Sequence, residues 1–304
     1  MKQSRRTFLQ QTGLLLAGSS FFKNARAAEK DKGIITGIQL YSVRDDMRKD
    51  PAGTLKALSE MGFRYVEHAN YVNRKFYGYT APAFRKLLDS LGLKMRSGHT
   101  VMGKQHWDET KKDFTDAWKY TVEDAALAGQ VFVISPSLEK EQRDTYDNLL
   151  RFMEVFNRCG ELCRKSGMQF GYHNHNFEFT EKLNGELLYD LILAHTDPSL
   201  VIQQLDMGNL YATGADAYAI IQKHPGRFIS LHVKDEIKAG KGEMNDGYES
   251  TVLGKGVART KAITDLGRKI GGTKHFIIEQ ESYQSLTPLE SAKADLAVMH
   301  SWGY

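Results

Sequence analysis

From Ile34 onward the chain repeats one phrase: a short apolar run, then a longer stretch whose apolar residues recur every three or four positions. The first pattern is that of a buried strand and the second that of a helix laid against it. Strands are predicted over residues 35–43, 64–70, 93–100, 130–135, 168–175, 200–208, 227–235 and 274–281. Helices are predicted over 51–61, 82–91, 110–128, 139–165, 187–195, 216–223, 258–270 and 289–300. In the first helix Leu55, Leu58 and Met61 form one stripe, and in the second Phe84, Leu87, Leu88 and Leu91 do the same. Gly62, Gly92, Gly129, Gly167, Gly226 and Gly272 each precede a strand, where a left-handed residue closes a helix.

Strict alternation of strand and helix implies parallel strands joined by right-handed crossovers, and eight such units close into a single (β/α)8 TIM barrel. An open doubly wound sheet is the alternative. It is disfavoured because G-I-Q-L-Y-S-V-R-D follows the start of the first strand, where a glycine-rich phosphate loop would stand. One connection is unusually long: residues 236–255 are rich in glycine and charge, as expected of a lid or binding loop.

The amino terminus reads differently. Ser4-Arg5-Arg6-Thr7-Phe8-Leu9 is a twin-arginine pair before an apolar stretch that runs to Phe22, and Ala25-Arg26-Ala27 offers small residues for a signal peptidase. Residues 1–27 are therefore expected to be an export signal, leaving a periplasmic barrel domain at 28–304. The apolar part is too short, and too interrupted by Gly and Ser, for a stable membrane span. The leader holds Lys2, Arg5, Arg6, Lys23 and Arg26 and no acid, so the formal net charge of +4 less these five becomes −1. A mature chain so close to neutrality has no global electrostatic reason to bind nucleic acid. Cys159 and Cys163, the only cysteines, are four apart on an expected helix, which suits packing better than a bridge.

In a closed parallel barrel the strand C-termini converge on one mouth, where the chemistry of this architecture occurs. Polar residues gather at those ends here: Gln39 and Tyr41, Glu67 and His68, His99, His173 and His175, Gln204 and Asp206, His232 and Lys234, Glu279 and Glu281. Asp206, His232 and Glu279 are metal-binding types at equivalent strand ends. Imidazole and carboxylate without thiolate suit Mn²⁺, Co²⁺, Zn²⁺ or Mg²⁺ and do not choose among them, with manganese the first ion to try.

The runs L-D-M-G-N at 205–209, L-H-V-K-D at 231–235, I-I-E-Q-E at 277–281 and Q-L-Y-S-V-R-D at 39–45 resemble the xylose isomerase-like barrels known as sugar phosphate isomerases/epimerases. That family includes hydroxypyruvate isomerase, ketose 3-epimerases and inosose dehydratase, and shares its fold with the metal-dependent apurinic endonucleases. The resemblance spans essentially the whole mature chain. It implies one divalent metal held by residues from strands five to eight, here His173, Asp206, His232 and Glu279. In the epimerases the fifth-strand ligand is a glutamate, so His173 is a departure that weakens two-base epimerisation; Glu178 is a candidate replacement as ligand or base.

The chemistry implied is proton removal beside a carbonyl, giving isomerisation or epimerisation of a small keto-sugar or polyol, with β-elimination or hydration at the same site as the alternative. Glu279 is the expected base, with Glu178, His99 or His173 as second proton-transfer group and Lys234 offsetting charge on the oxyanion. Gln39, Tyr41, Glu67, Trp107, His175 and Gln204 are the expected substrate-binding residues. An apurinic endonuclease would need further ligands and a basic groove, and a non-catalytic sugar-binding barrel would need no metal. Barrels of this type often pair, so a homodimer is an assembly to test for, with no interface nameable from the sequence.

Overall fold

The computed structural model describes residues 33–304. The leader expected over residues 1–27, and the first residues of the domain expected over 28–304, lie outside that span. Eight parallel strands close into a barrel in the order β1-β8-β7-β6-β5-β4-β3-β2: β1 (Ile35–Gln39), β2 (Tyr65–His68), β3 (Lys94–His99), β4 (Phe132–Ser135), β5 (Gln169–His173), β6 (Val201–Asp206), β7 (Ser230–Val233) and β8 (His275–Ile278). The longer helices are α1 (Pro51–Met61), α2 (Ala81–Ser90), α3 (Asp116–Ala128), α4 (Tyr146–Lys165), α5 (Leu188–His195), α6 (Ala217–Lys223), α7 (Thr260–Leu266) and α8 (Pro288–Trp302), with short ones at Arg44–Lys49 and Lys140–Arg143. Among the described residues, no helix is long and apolar enough to cross a membrane.

Alternation along each strand divides the side chains between two layers. Ile38, Val66, Met95, Leu205, Leu231, Val233, Phe276 and Ile278 face outward into one core that includes Leu55 and Leu58 of α1 and Phe84 of α2. Val133, Phe170 and Tyr172 join a second, with Trp118 of α3 and Phe156 of α4. Cys159 and Cys163 are free and buried there, with the Trp118 indole donating to the Cys159 sulfur. The inward positions begin apolar, with Phe132, Ile134 and Ile202 forming a small separate cluster. Gly171 makes room for it, since a Cβ there would stand 2.9 Å from Ile202 and 3.1 Å from Ile134. Further toward the strand C-termini the inward residues turn polar, and these build the site.

Several boundaries differ from the sequence expectation, each for a local reason. The first strand stops at Gln39, whose side chain accepts from the Tyr41 N–H and starts a 3-10 turn over Leu40–Val43. Helix α3 begins at Asp116 instead of 110, because Asp108 accepts from the N–H groups of Thr110 and Lys111 and closes a hairpin of Trp107–Asp108 with Asp113–Phe114. The stretch 139–165 is two helices, since Thr145 caps a fresh start at Tyr146. Strand five ends at His173, so His175 lies beyond it. The long connection after strand seven is not an unstructured lid: Asp235–Lys238 pairs antiparallel with Tyr248–Thr251.

Candidate metal centre

The inward residues of neighbouring strands are aligned by register: Gln39 opposes Glu67, His173 opposes Gln204, and Asp206 opposes His232. Between β2 and β3 the pairing shifts after Val66, so that Glu67 faces Ser97. A bulge of this kind re-aims a side chain, here bringing the Ser97 hydroxyl onto the Glu67 carboxylate.

Glu67 is the hub of the floor. It accepts from Gln39 Nε2 and Gln204 Nε2, each at 2.9 Å, and lies 2.6 Å from His232 Nε2 and 3.2 Å from His99 Nε2. Burial alone would raise its pKa, but the facing imidazoles of His99 and His232 hold it well below the usual carboxylate range. Above it, His232 Nδ1 stands 3.0 Å from Glu279 Oε2 and 3.7 Å from Asp206 Oδ2, and His173 Nε2 lies 3.8 Å from the same Asp206 oxygen. One ligand atom from each of His173, Asp206, His232 and Glu279 can be chosen so that all lie within 4.8 Å of one another, and all four residues are buried.

These residues fit a divalent cation. Bonds of about 2.0–2.2 Å set neighbouring ligand atoms roughly 2.8 to 3.6 Å apart in octahedral or tetrahedral coordination, close to the spacings found here. Asp206 Oδ1 accepts from the Gly208 and Asn209 N–H groups at 2.8 and 2.9 Å, which orients the carboxylate and leaves Oδ2 buried without a hydrogen bond, facing His232 and His173. An orphaned buried carboxylate oxygen is costly unless a cation or proton meets it. Burial, with His232 and His99 nearby, pushes His173 well below the usual histidine range, toward the neutral form that binds metals. His232 is held well above that range, because Glu279 and Glu67 outweigh its burial. A proton on its Nδ1 and a cation are alternatives for one position.

Lys234 is fully enclosed behind this cluster. Its ammonium donates to Glu281 Oε1 at 2.5 Å and Asn209 Oδ1 at 3.0 Å, and lies 3.5 Å from Glu243 and 3.9 Å from Glu279. Burial opposes its charge, but Glu281 and Asp206 outweigh it and hold the ammonium on. The cluster opens on a cavity of about 490 Å³ at the strand C-termini, lined by His99, His173, His175, Glu279, Glu281, Tyr41 and other residues.

Of the residues expected at the site, Tyr41, His99, His173, His175 and Glu279 line this cavity, while Gln39, Glu67, Gln204, Asp206, His232 and Lys234 lie beneath or behind it. Trp107 is elsewhere: its indole donates to Glu109, and the ring packs on Phe114 in the hairpin beyond β3. Glu178 is also outside the cavity, fully buried and bonded to the Tyr172 hydroxyl and the His175 N–H. Burial pushes its pKa up to about 7, and its hydrogen bonds make it a strut under His175. Asn209 and Tyr71 line the cavity without having been expected there, and Glu281, expected at the mouth as a polar strand end, lines it without having been given a role. Glu281 follows Glu279 by two, the spacing of one strand face, and Asn209 closes the L-D-M-G-N run, so both left a signal.

Residues 55–302 match the family described as xylose isomerase-like TIM barrel. An inosose dehydratase from Geobacillus thermodenitrificans is 26% identical over 236 residues, 68% of this chain and 76% of that one. A sugar phosphate isomerase/epimerase from Parabacteroides distasonis superposes with a TM-score of 0.76 at 24% identity, covering 90% of this chain and 96% of that one. The IOLI protein, solved with a binding zinc atom, superposes with a TM-score of 0.67 at 12% identity over 88% of this chain and 98% of its own. With its closed barrel and its match over most of its length, the chain belongs to the xylose isomerase-like TIM barrel family.

Proposed function

We propose that this chain is a divalent-metal-dependent sugar isomerase or epimerase that removes the proton beside the carbonyl of a small, unphosphorylated keto-sugar or polyol. The observation that carries the reading is the convergence of His173, Asp206, His232 and Glu279 on the floor of an open cavity. The zinc bound by the IOLI protein and the names of the sugar-directed relatives support it. When bound, the ion would supply Lewis acidity to a carbonyl and its neighbouring hydroxyl.

The protein groups divide the remaining work. Glu279 presents one carboxylate oxygen to His232 and lines the cavity, so its other oxygen is the base for the α-proton. His99, whose Nε2 is 2.7 Å from Gln204 Oε1, lines the same cavity and is the second proton-transfer group. Lys234 offsets the carboxylate charge from behind and does not line the cavity. Among the lining residues there is no lysine or arginine, and Glu279 and Glu281 bring negative charge, a poor setting for a phosphate. That suits the exported location expected from the leader.

Elimination of a β-substituent after the same proton is removed is the second reading. Two observations favour it: the relatives named inosose dehydratase, and His173 where an opposing glutamate would serve two-base epimerisation. The test is incubation of the manganese-loaded protein with a keto-sugar panel in D₂O, read by NMR. Deuterium at the α-carbon, lost in Glu279→Gln, is expected; elimination product without exchange into recovered substrate selects the second reading. Neither signal on any sugar overturns both.

A further inference from the structure

A second cavity of about 310 Å³ adjoins the first at the barrel mouth, and the two share Tyr41, Ala69 and Asn70 in their walls. Each is within the size of a small-molecule site, about 300–1,000 Å³. Only the first contains residues of the metal cluster. We propose that the second cavity is a subsite for a second sugar ring, so that the substrate is a keto-disaccharide or glycoside whose reacting unit sits over the metal cluster. This rests on the reading of the first cavity as a keto-sugar site.

Tyr41 is the one aromatic residue in the wall shared by the two volumes. The residue is 42% exposed. Its backbone N–H donates to Gln39, its carbonyl accepts from Arg44 Nη1 at 3.2 Å, and the Arg44 guanidinium lies 4.6 Å from the ring centroid. Arg44 is itself fixed by the Tyr283 hydroxyl and the Glu281 carbonyl. The backbone and one guanidinium thus position the ring, and an exposed aromatic face is what the C–H face of a pyranose stacks on. Beyond it the second cavity is lined by Leu40, Met47, Pro51 and Tyr77 together with Asn70 and Arg48, whose guanidinium also donates to Asp45. Interleaved rings and hydrogen-bonding groups match a sugar, which alternates apolar faces with hydroxyl edges, better than a purely apolar substituent.

Fructose, lactulose and isomaltulose carry the same keto unit, with a second ring only in the last two. Their affinities for the manganese-loaded protein, measured by titration calorimetry, separate the contribution of that ring. At least one disaccharide is expected to bind tenfold or more tighter than fructose. Pro51→Trp, which fills the second cavity, and Arg48→Ala, which strips a polar group from its rim, are each expected to cut that ratio at least fivefold. A smaller preference, no binding of any of the three, or a ratio that survives both substitutions overturns the second-ring subsite. Deuterium exchange on the same sugars scores the other reading separately. Exchange without a disaccharide preference removes the subsite and leaves proton abstraction standing; the preference with neither exchange nor elimination product does the reverse.

Discussion

Glu67 shows how far a single residue governs the site without touching the cavity. It bonds His232 Nε2, and so turns Nδ1 toward Asp206 and Glu279. Carboxylates behind a metal-binding histidine fix its ring and tautomer, and their loss typically costs about 10–100-fold in metal affinity. Glu67→Gln is expected to weaken manganese or zinc binding by that factor in a chelator competition, while the metal-free protein keeps its circular dichroism spectrum. Gly208 is constrained in another way. A Cβ there would stand 2.6 Å from both Lys234 Cγ and Glu236 Oε1. Gly208→Ala is expected to destabilise the fold by about 1–3 kcal/mol through this overpacking, read as a lower urea midpoint. Neither role was legible in the sequence. Glu67 stood out only as a polar strand end and was assigned to substrate, because the β2–β3 bulge that turns it onto Ser97 and His232 leaves no mark in composition.

Among the elements, the connection after β7 carries most of the unexpected structure. Asp235 accepts from the N–H groups of Glu236, Gly254, Gly256 and Ala258, gathering the far end of the hairpin to its start. Nearby, Asp295 of α8 accepts from the Leu253 N–H at 2.8 Å and leaves its other oxygen buried without a partner. Burial, with Asp235 adding to it, pushes the Asp295 carboxyl from 3.8 up to about 7. The folded state thus binds more protons than the unfolded chain between those values, and stability falls as pH rises through that window. A rise of that size corresponds to roughly 4 kcal/mol. Asp295→Asn cannot ionise, so its stability relative to wild type is expected to improve from pH 5 to pH 8; a pH-independent difference in urea midpoint would exclude this origin. The helices and barrel strands were legible because period and length are carried by the residues themselves. The hairpins between them were read less well: Arg74 and Lys112 take positive φ against local preference, whereas Asn184-Gly185, between the paired Lys182–Leu183 and Glu186–Leu187, carried a two-residue turn signal that went unread.

For the molecule as a whole, the barrel explains why residues far apart in sequence could be read together. Register brings Asp206 opposite His232, and β8 adds Glu279 beside them. A ligand that binds only the folded state stabilises it by about 2.7 kcal/mol at one hundred times its Kd. For a domain of this size that corresponds to a rise in Tm of roughly 5–10 °C. Such a shift with Mn²⁺, Co²⁺ or Zn²⁺, absent with K⁺, is expected from the cluster of His173, Asp206, His232 and Glu279. The most direct test counts the metal itself. Elemental analysis of purified protein, after loading and desalting, is expected to give one divalent ion per chain and to fall to background in Asp206→Ala and His232→Ala variants that remain folded. Wild-type protein that retains no ion, or variants that retain a full equivalent, would contradict the account.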